Sequence, residues 1–121
     1  MSKDIFLVPI TFPEFGRTVS SPIDLSNFRV DDEVMRETPD PASTRVWGVK
    51  NSTLNKRFYD KMTSGDLLLF YHDDKYRYAG EVGQKFENKE ISDEFWSGIA
   101  ADLLYTVDSF SEIDLSRKRL N

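Results

Sequence analysis

The chain has no cysteine, which excludes disulfides, thiolate metal sites and a cysteine nucleophile, and which suits a reducing compartment. It has one histidine, His72, followed by Asp73 and Asp74. A metal centre would need two or three further ligands at recognisable spacing, and none appears. There is no glycine-rich phosphate loop, no G-x-S-x-G and no His-Glu pair on a helix. The carboxylates are scattered through polar stretches, as on a solvated surface, so the residues offer no enzyme and call for no cofactor. No apolar run approaches the roughly 18 residues of a membrane span. The start, "MSKDIFLVPITF", lacks the charge and cleavage pattern of a signal peptide. The reading is a soluble, cytoplasmic protein with no membrane partner.

What is present is a chain of 121 residues with 39% apolar and 13% aromatic side chains. That length and composition give one folded domain, residues 1–121, with a real core. The formal net charge of −5 taken alone argues against a nucleic-acid partner. Its distribution argues differently: residues 1–44 carry −4, residues 45–85 carry +3 and residues 86–121 carry −4. A polyanion responds to local potential more than to net charge, and the basic middle third is where it would bind.

"DIFLVPI" reads as a buried strand, with Pro9 suggesting a sheet edge or a strand end. "TFPEFGRTVSSPIDLSNFRVDDEV" is punctuated by Pro13, Gly16 and Pro22 and reads as a long loop of the kind that is often functional or mobile. "MRETPDPAST" resembles a linker. "RVWGV" is a short strand. "STLNKRFYDKM" is a helix with Ser52 or Thr53 as N-cap, an apolar stripe of Leu54, Phe58 and Met62, and Gly65 as its left-handed stop. "LLLFYH" is apolar on both faces, as in a central strand. "DDK" turns the chain into "YRYAGEV", where period two places Tyr76, Tyr78, Gly80 and Val82 on one face and Gly80 suggests a bulge or a close approach. "ISDEFWSGIA" is a short helix or turn capped by Ser92, and "DLLYTVDSF" is a further strand before the polar end "SEIDLSRKRLN". This order describes an α+β domain: a small mixed β-barrel with short helices around it.

The two tryptophans, Trp47 and Trp96, both stand at element boundaries. Each is either core or a stacking wall, since a flat indole adds about 1–3 kcal/mol per stacked base and two such walls hold an extruded base. "VWGVKNSTLNKRFYDKM", "DLLLFY", "YRYAGEV", "FWSG" and "LLYTV", in this order over residues 45–120 with a first strand at 5–10, resemble the EVE and YTH branch of the PUA-like superfamily. Domains of this kind serve as N-terminal specificity modules of McrB-type, modification-dependent restriction systems.

The resemblance implies a barrel that encloses one modified, flipped base in an aromatic cage. Trp47 and Trp96 match the cage positions, and Gly48 and Val49 would offer backbone groups to the base edge. Lys50, Lys56, Arg57 and Lys61 would contact phosphates. Thr11, Phe12 or Ser20 stands where the family's first loop completes the reading, and Tyr71, Tyr76, Tyr78 and Phe95 are candidates for a third wall. Asn51 and Asn55 suit capping or solvent better than base contact. The implied partner is DNA with a modified base, favoured over RNA, with further domains or subunits of a restriction complex beside it. The chain would then be one N-terminal domain of a larger protein. An indole acting only as a wall would tolerate Trp47→Ala without loss of the fold. The alternatives are a PUA-like RNA-binding protein, or a protein-interaction module that presents Phe12 and Phe15.

Overall fold

Two strands far apart in the sequence bound a single curled sheet. In the computed structural model, which describes residues 3–96 and 101–116, five strands are hydrogen-bonded in the order β1-β3-β4-β5-β2. These are β1 (Ile5–Pro9), β2 (Arg45–Val49), β3 (Leu67–His72), β4 (Lys75–Glu87) and β5 (Leu103–Ser116). β1 runs parallel to β3 and every other pairing is antiparallel. The result is a mixed half-barrel, α+β and PUA-like in form. β1 lies at an edge but is not the buried strand expected, because Ile5 and Leu7 are more than half exposed and only Val8 is buried. The apolar "LLLFYH" lies between two neighbours. β4 and β5 form a long antiparallel pair whose register shifts three times, between Tyr76 and Tyr78, Ala79 and Glu81, and Val82 and Lys85. Each shift bends the strands, and together they curl the sheet so that its two edge strands approach each other.

The long segment before β2 departs from the loop expected of it. It contains a helical turn at Gly16–Ser20, a shorter one at Leu25–Asn27 and helix α1 (Asp32–Glu37). Phe15, Val19 and Leu25 are fully buried. Phe15 is the centre of an aromatic cluster, 5.3 Å from Trp47, 5.1 Å from Phe70 and 5.0 Å from Tyr78 between ring centroids. Burial of each such ring is worth about 1.5–3 kcal/mol, which fixes this segment over the sheet. Arg45 ties it down by donating to the carbonyls of Val19 and Ser20. With Phe15 buried, half of the contact surface imagined for a protein-interaction module is core.

Helix α2 (Thr53–Lys61) begins where the sequence predicts, with the Ser52 hydroxyl accepting from the Asn55 amide at 3.2 Å. It ends three residues before the expected stop, at Met62; Gly65 takes its positive φ of 94° in the turn that follows. The apolar stripe does not anchor the helix, because only Met62 of the three is buried. The anchor is Tyr59, whose hydroxyl donates toward the carbonyls of Leu104 at 2.6 Å and Phe86 at 3.1 Å. Helix α3 (Lys89–Phe95) is capped by Asn88, not Ser92: the Asn88 side chain accepts from the Ile91 amide at 2.9 Å and donates to the Arg29 carbonyl at 2.7 Å. Ser92 is buried inside the helix. The remainder of "FWSG", Ser97 and Gly98, and the basic end "RKRLN" lie outside the described residues.

Candidate nucleic-acid interface

The edges of the half-barrel do not meet. Between them lies a cleft of about 620 Å³, lined by Asp4 to Pro9 along β1, by Trp47 to Lys50 at the end of β2, by Asn55, Phe58, Lys61 and Met62 from α2, and by Tyr105 of β5. That volume is within the ~300–1,000 Å³ of typical small-ligand pockets. β1 bonds only to β3 and β2 only to β5 among the described residues, so unpaired edge peptide groups flank the cleft on both sides. Such groups are obligate donors and acceptors, and with Asp4, Lys50, Asn55 and Lys61 they give a largely apolar cleft the means to orient a polar guest.

Trp47 contributes to this lining although it is only 4% exposed. It is paired across the strands with Tyr105. Its ring is held edge-on by Phe15, with 70° between planes, and by Trp96 at 5.5 Å and 66°. Trp96 is itself buried and is no part of the cleft lining. A base sandwiched between two walls needs parallel faces about 7 Å apart, twice a contact distance of ~3.5 Å. These two indoles touch each other instead, so they do not enclose a guest as a pair; Trp96 supports Trp47 from behind. Because Trp47 is core as well as wall, Trp47→Ala is expected to damage the fold, contrary to the expectation for a wall alone.

Gly48, Val49 and Lys50 all line the cleft, as does Lys61. A side chain at Gly48 is excluded by the neighbouring strand: a Cβ there would lie 2.5 Å from Leu104 Cδ2 and 3.0 Å from the Ala101 carbonyl oxygen. The glycine therefore lets β2 and β5 approach closely beside the cleft. Lys56 and Arg57 lie around the N-terminal turn of α2, in a shallow polar depression with Asn51, Ser52, Thr53 and Asp60. Lys56 Nζ donates to Asp60 at 2.8 Å, which raises its pKa. This exposed pair is worth little in water, so Asp60 holds the ammonium only weakly.

Several residues of the cleft were not marked by the sequence. Asn55 lines it, with its Nδ2 donating to the Lys50 carbonyl at 3.0 Å, so it fixes the turn that carries Lys50. Phe58 and Met62 read in the sequence as helix anchors. The β1 residues carried no signal, because their role follows from the sheet's curl. Tyr105 is fully buried, and its hydroxyl has no hydrogen-bond partner among the described residues; burial raises its pKa, so it stays neutral. None of the proposed third walls lines the cleft. Tyr78 stacks on Phe110 at 5.3 Å and 18°, Tyr71 meets Tyr76 edge-on and Phe95 packs on Phe28. Thr11, Phe12 and Ser20 also lie outside the lining. His72 sits at its strand end, 3.4 Å from Asp73 and edge-on to Phe12. No group of three potential metal ligands occurs among the described residues, and no helix among them is long and apolar enough to cross a membrane.

No family model matches the chain, and no curated protein matches it in sequence. Among solved structures, the fold is similar to that of the N-terminal domain of Thermococcus gammatolerans McrB bound to m5C DNA, with a TM-score of 0.66 and 15% sequence identity. The match spans 98% of this chain and 81% of that one. Over the matched length the two share a fold while few residues are identical.

Proposed function

We propose that this chain is a reader domain that binds DNA and accepts a modified, flipped-out base into the cleft between β1 and β2. The observation that carries this reading is the cleft itself: an aromatic wall, two free strand edges and the cations Lys50 and Lys61 converge on it. The fold is shared with a McrB domain that was solved bound to m5C DNA, which favours methylated DNA over RNA as the partner and a restriction system as the setting. Trp47 provides the stacking face, and Trp96 holds that face in place. Gly48 and Val49 present backbone groups to the base edge, as far as their unpaired edge allows. Lys50, Lys56, Arg57 and Lys61 neutralise phosphates beside the cleft.

The test is titration with short duplexes that are unmodified or carry 5-methylcytosine or 6-methyladenine, with matched RNA, at two salt concentrations. Tryptophan fluorescence should respond selectively to one modified duplex, and binding should weaken steeply with salt. Equal binding to all nucleic acids would leave only charge attraction. No binding to any would sink the proposal and favour a protein partner at the free β1 edge, where Ile5 and Leu7 are exposed.

A further inference from the structure

Two members of the apolar stripe of helix α2, Leu54 and Phe58, are left unburied by the fold. Leu54 is 61% exposed and Phe58 is 50% exposed, while the helix is secured by Tyr59 and Met62 on its buried side. Phe58 lines the cleft, and Leu54 stands one turn earlier on the same face. The segment that carries them is rich in cations. Residues 50–61 contain Lys50, Lys56, Arg57 and Lys61 against the single acid Asp60, in a chain whose net charge is −5. Lys61 Nζ lies 5.9 Å over the Phe58 ring.

Apolar side chains framed by cations suit a duplex, where stacked bases lie between two lines of phosphate. They suit a second copy of this chain poorly, because pairing this face with itself would bring the same cations together. When a base leaves the stack, its former neighbours are left without a stacking partner, and an inserted Leu or Phe replaces it. We propose that Leu54 and Phe58 form an apolar wedge that enters the base stack and fills the gap left by the nucleotide turned into the cleft. The proposal rests on the cleft being the base pocket. The wedge makes extrusion possible from a fully paired duplex, and it is dispensable where the target base is already unpaired.

That difference defines the experiment. The wild-type chain, Leu54→Ala and the Leu54→Ala, Phe58→Ala double variant are titrated with two 5-methylcytosine DNAs of one sequence. In one the target is paired with guanine; in the other it faces an abasic site. A thermal melt confirms that each variant folds, and Phe58→Leu, which keeps an apolar wedge, serves as the conservative control. Leu54→Ala, which lies outside the cleft lining, should lose about 10-fold in affinity for the paired duplex and change little on the unpaired one. The double variant, which also removes the cleft-lining Phe58, should lose about 10-fold more on the paired duplex than on the unpaired one. Phe58→Leu should retain most of the binding. A 2-aminopurine beside the target should brighten with the wild type and stay quenched with the double variant.

Equal losses on both DNAs, or no loss on either, would overturn the wedge while leaving the base pocket standing. Wild-type failure on both would remove the pocket and the wedge together. Dimers in light scattering that the double variant abolishes would reassign the stripe to self-association and also overturn the proposal.

Discussion

Trp96 meets Trp47 edge to face, with ring centroids 5.5 Å apart and planes inclined at 66°. This packing makes Trp47 a fixed wall. With Phe15 also packed against it, the indole is held on two contacts, and under the proposed function a rigid stacking face would give up little entropy on binding. The same packing makes Trp47 part of the core. Trp47→Ala is expected to lower stability by about 3–5 kcal/mol, read as a shift in the denaturant midpoint. A loss below ~1 kcal/mol would mean that the indole contributes only to the cleft.

Two tyrosine hydroxyls near the cleft are expected to respond in opposite directions. Tyr59 donates to two backbone carbonyls, so Tyr59→Phe leaves them short of a partner and should cost about 1–3 kcal/mol. The hydroxyl of Tyr105 is buried without a partner among the described residues, so Tyr105→Phe removes an uncompensated polar group and should raise stability by up to ~1–3 kcal/mol. Urea unfolding of both variants checks the pair. Destabilisation by Tyr105→Phe would show that its hydroxyl does find a partner in solution.

Acid should weaken the joint between β1 and β3. The Asp66 carboxylate accepts from the Thr63 amide at 2.8 Å and the Asp4 amide at 3.2 Å, and also from the Thr63 hydroxyl. These bonds, those from Thr63 foremost, hold its pKa below the usual carboxylate range. A lowered folded pKa gives stability that is present above the unfolded value and lost as pH falls through the folded one. The melting temperature of Asp66→Asn should therefore change less than that of the wild type between pH 5 and pH 2 (both roughly chosen to bracket the carboxylate range). Parallel curves would show that Asp66 makes no such contribution.

Asp108 has the opposite sign. Burial, and then the facing Glu81, raise its pKa. Its folded form holds a proton longer than the unfolded form, so stability falls as pH rises from the ordinary carboxylate range through the raised value. Asp108→Asn should melt higher than the wild type at neutral pH, with the gap closing in acid. A lower melting temperature at neutral pH would refute this assignment.

Salt dependence separates phosphate neutralisation from stacking. Replacing Lys50, Lys56, Arg57 or Lys61 singly by Ala should reduce the slope of log K against log salt by about one where the side chain neutralises a phosphate. A variant whose slope matches that of the wild type places its residue outside the phosphate path. Lys56 is the informative case, because Asp60 already holds its ammonium.

Much of this protein was legible from local pattern. The edge position of "DIFLVPI", the strand at "RVWGV", the Ser52 cap and the inner strand "LLLFYH" all follow from propensity and period, which act over a few residues. The ordered series of short motifs was enough to suggest a PUA-like barrel. Trp47, Gly48, Val49, Lys50 and Lys61 were drawn together by their closeness in sequence, and they do share one cleft.

The rest depended on packing between distant residues. Phe15 reads as part of a loop until Trp47, Phe70 and Tyr78 converge on it. The stripe Leu54–Phe58–Met62 has the spacing of a buried face, yet Tyr59 takes the core because Leu104 and Phe86 present carbonyls to it. Trp96 lies behind Trp47, not across from it, an arrangement set by where α3 docks. The second wall of the cleft, β1, is brought opposite β2 only because three register shifts curl β4 against β5. Sequence determines which short segments become strand or helix; hydrogen-bond register over long separations decides which of their side chains face the same space.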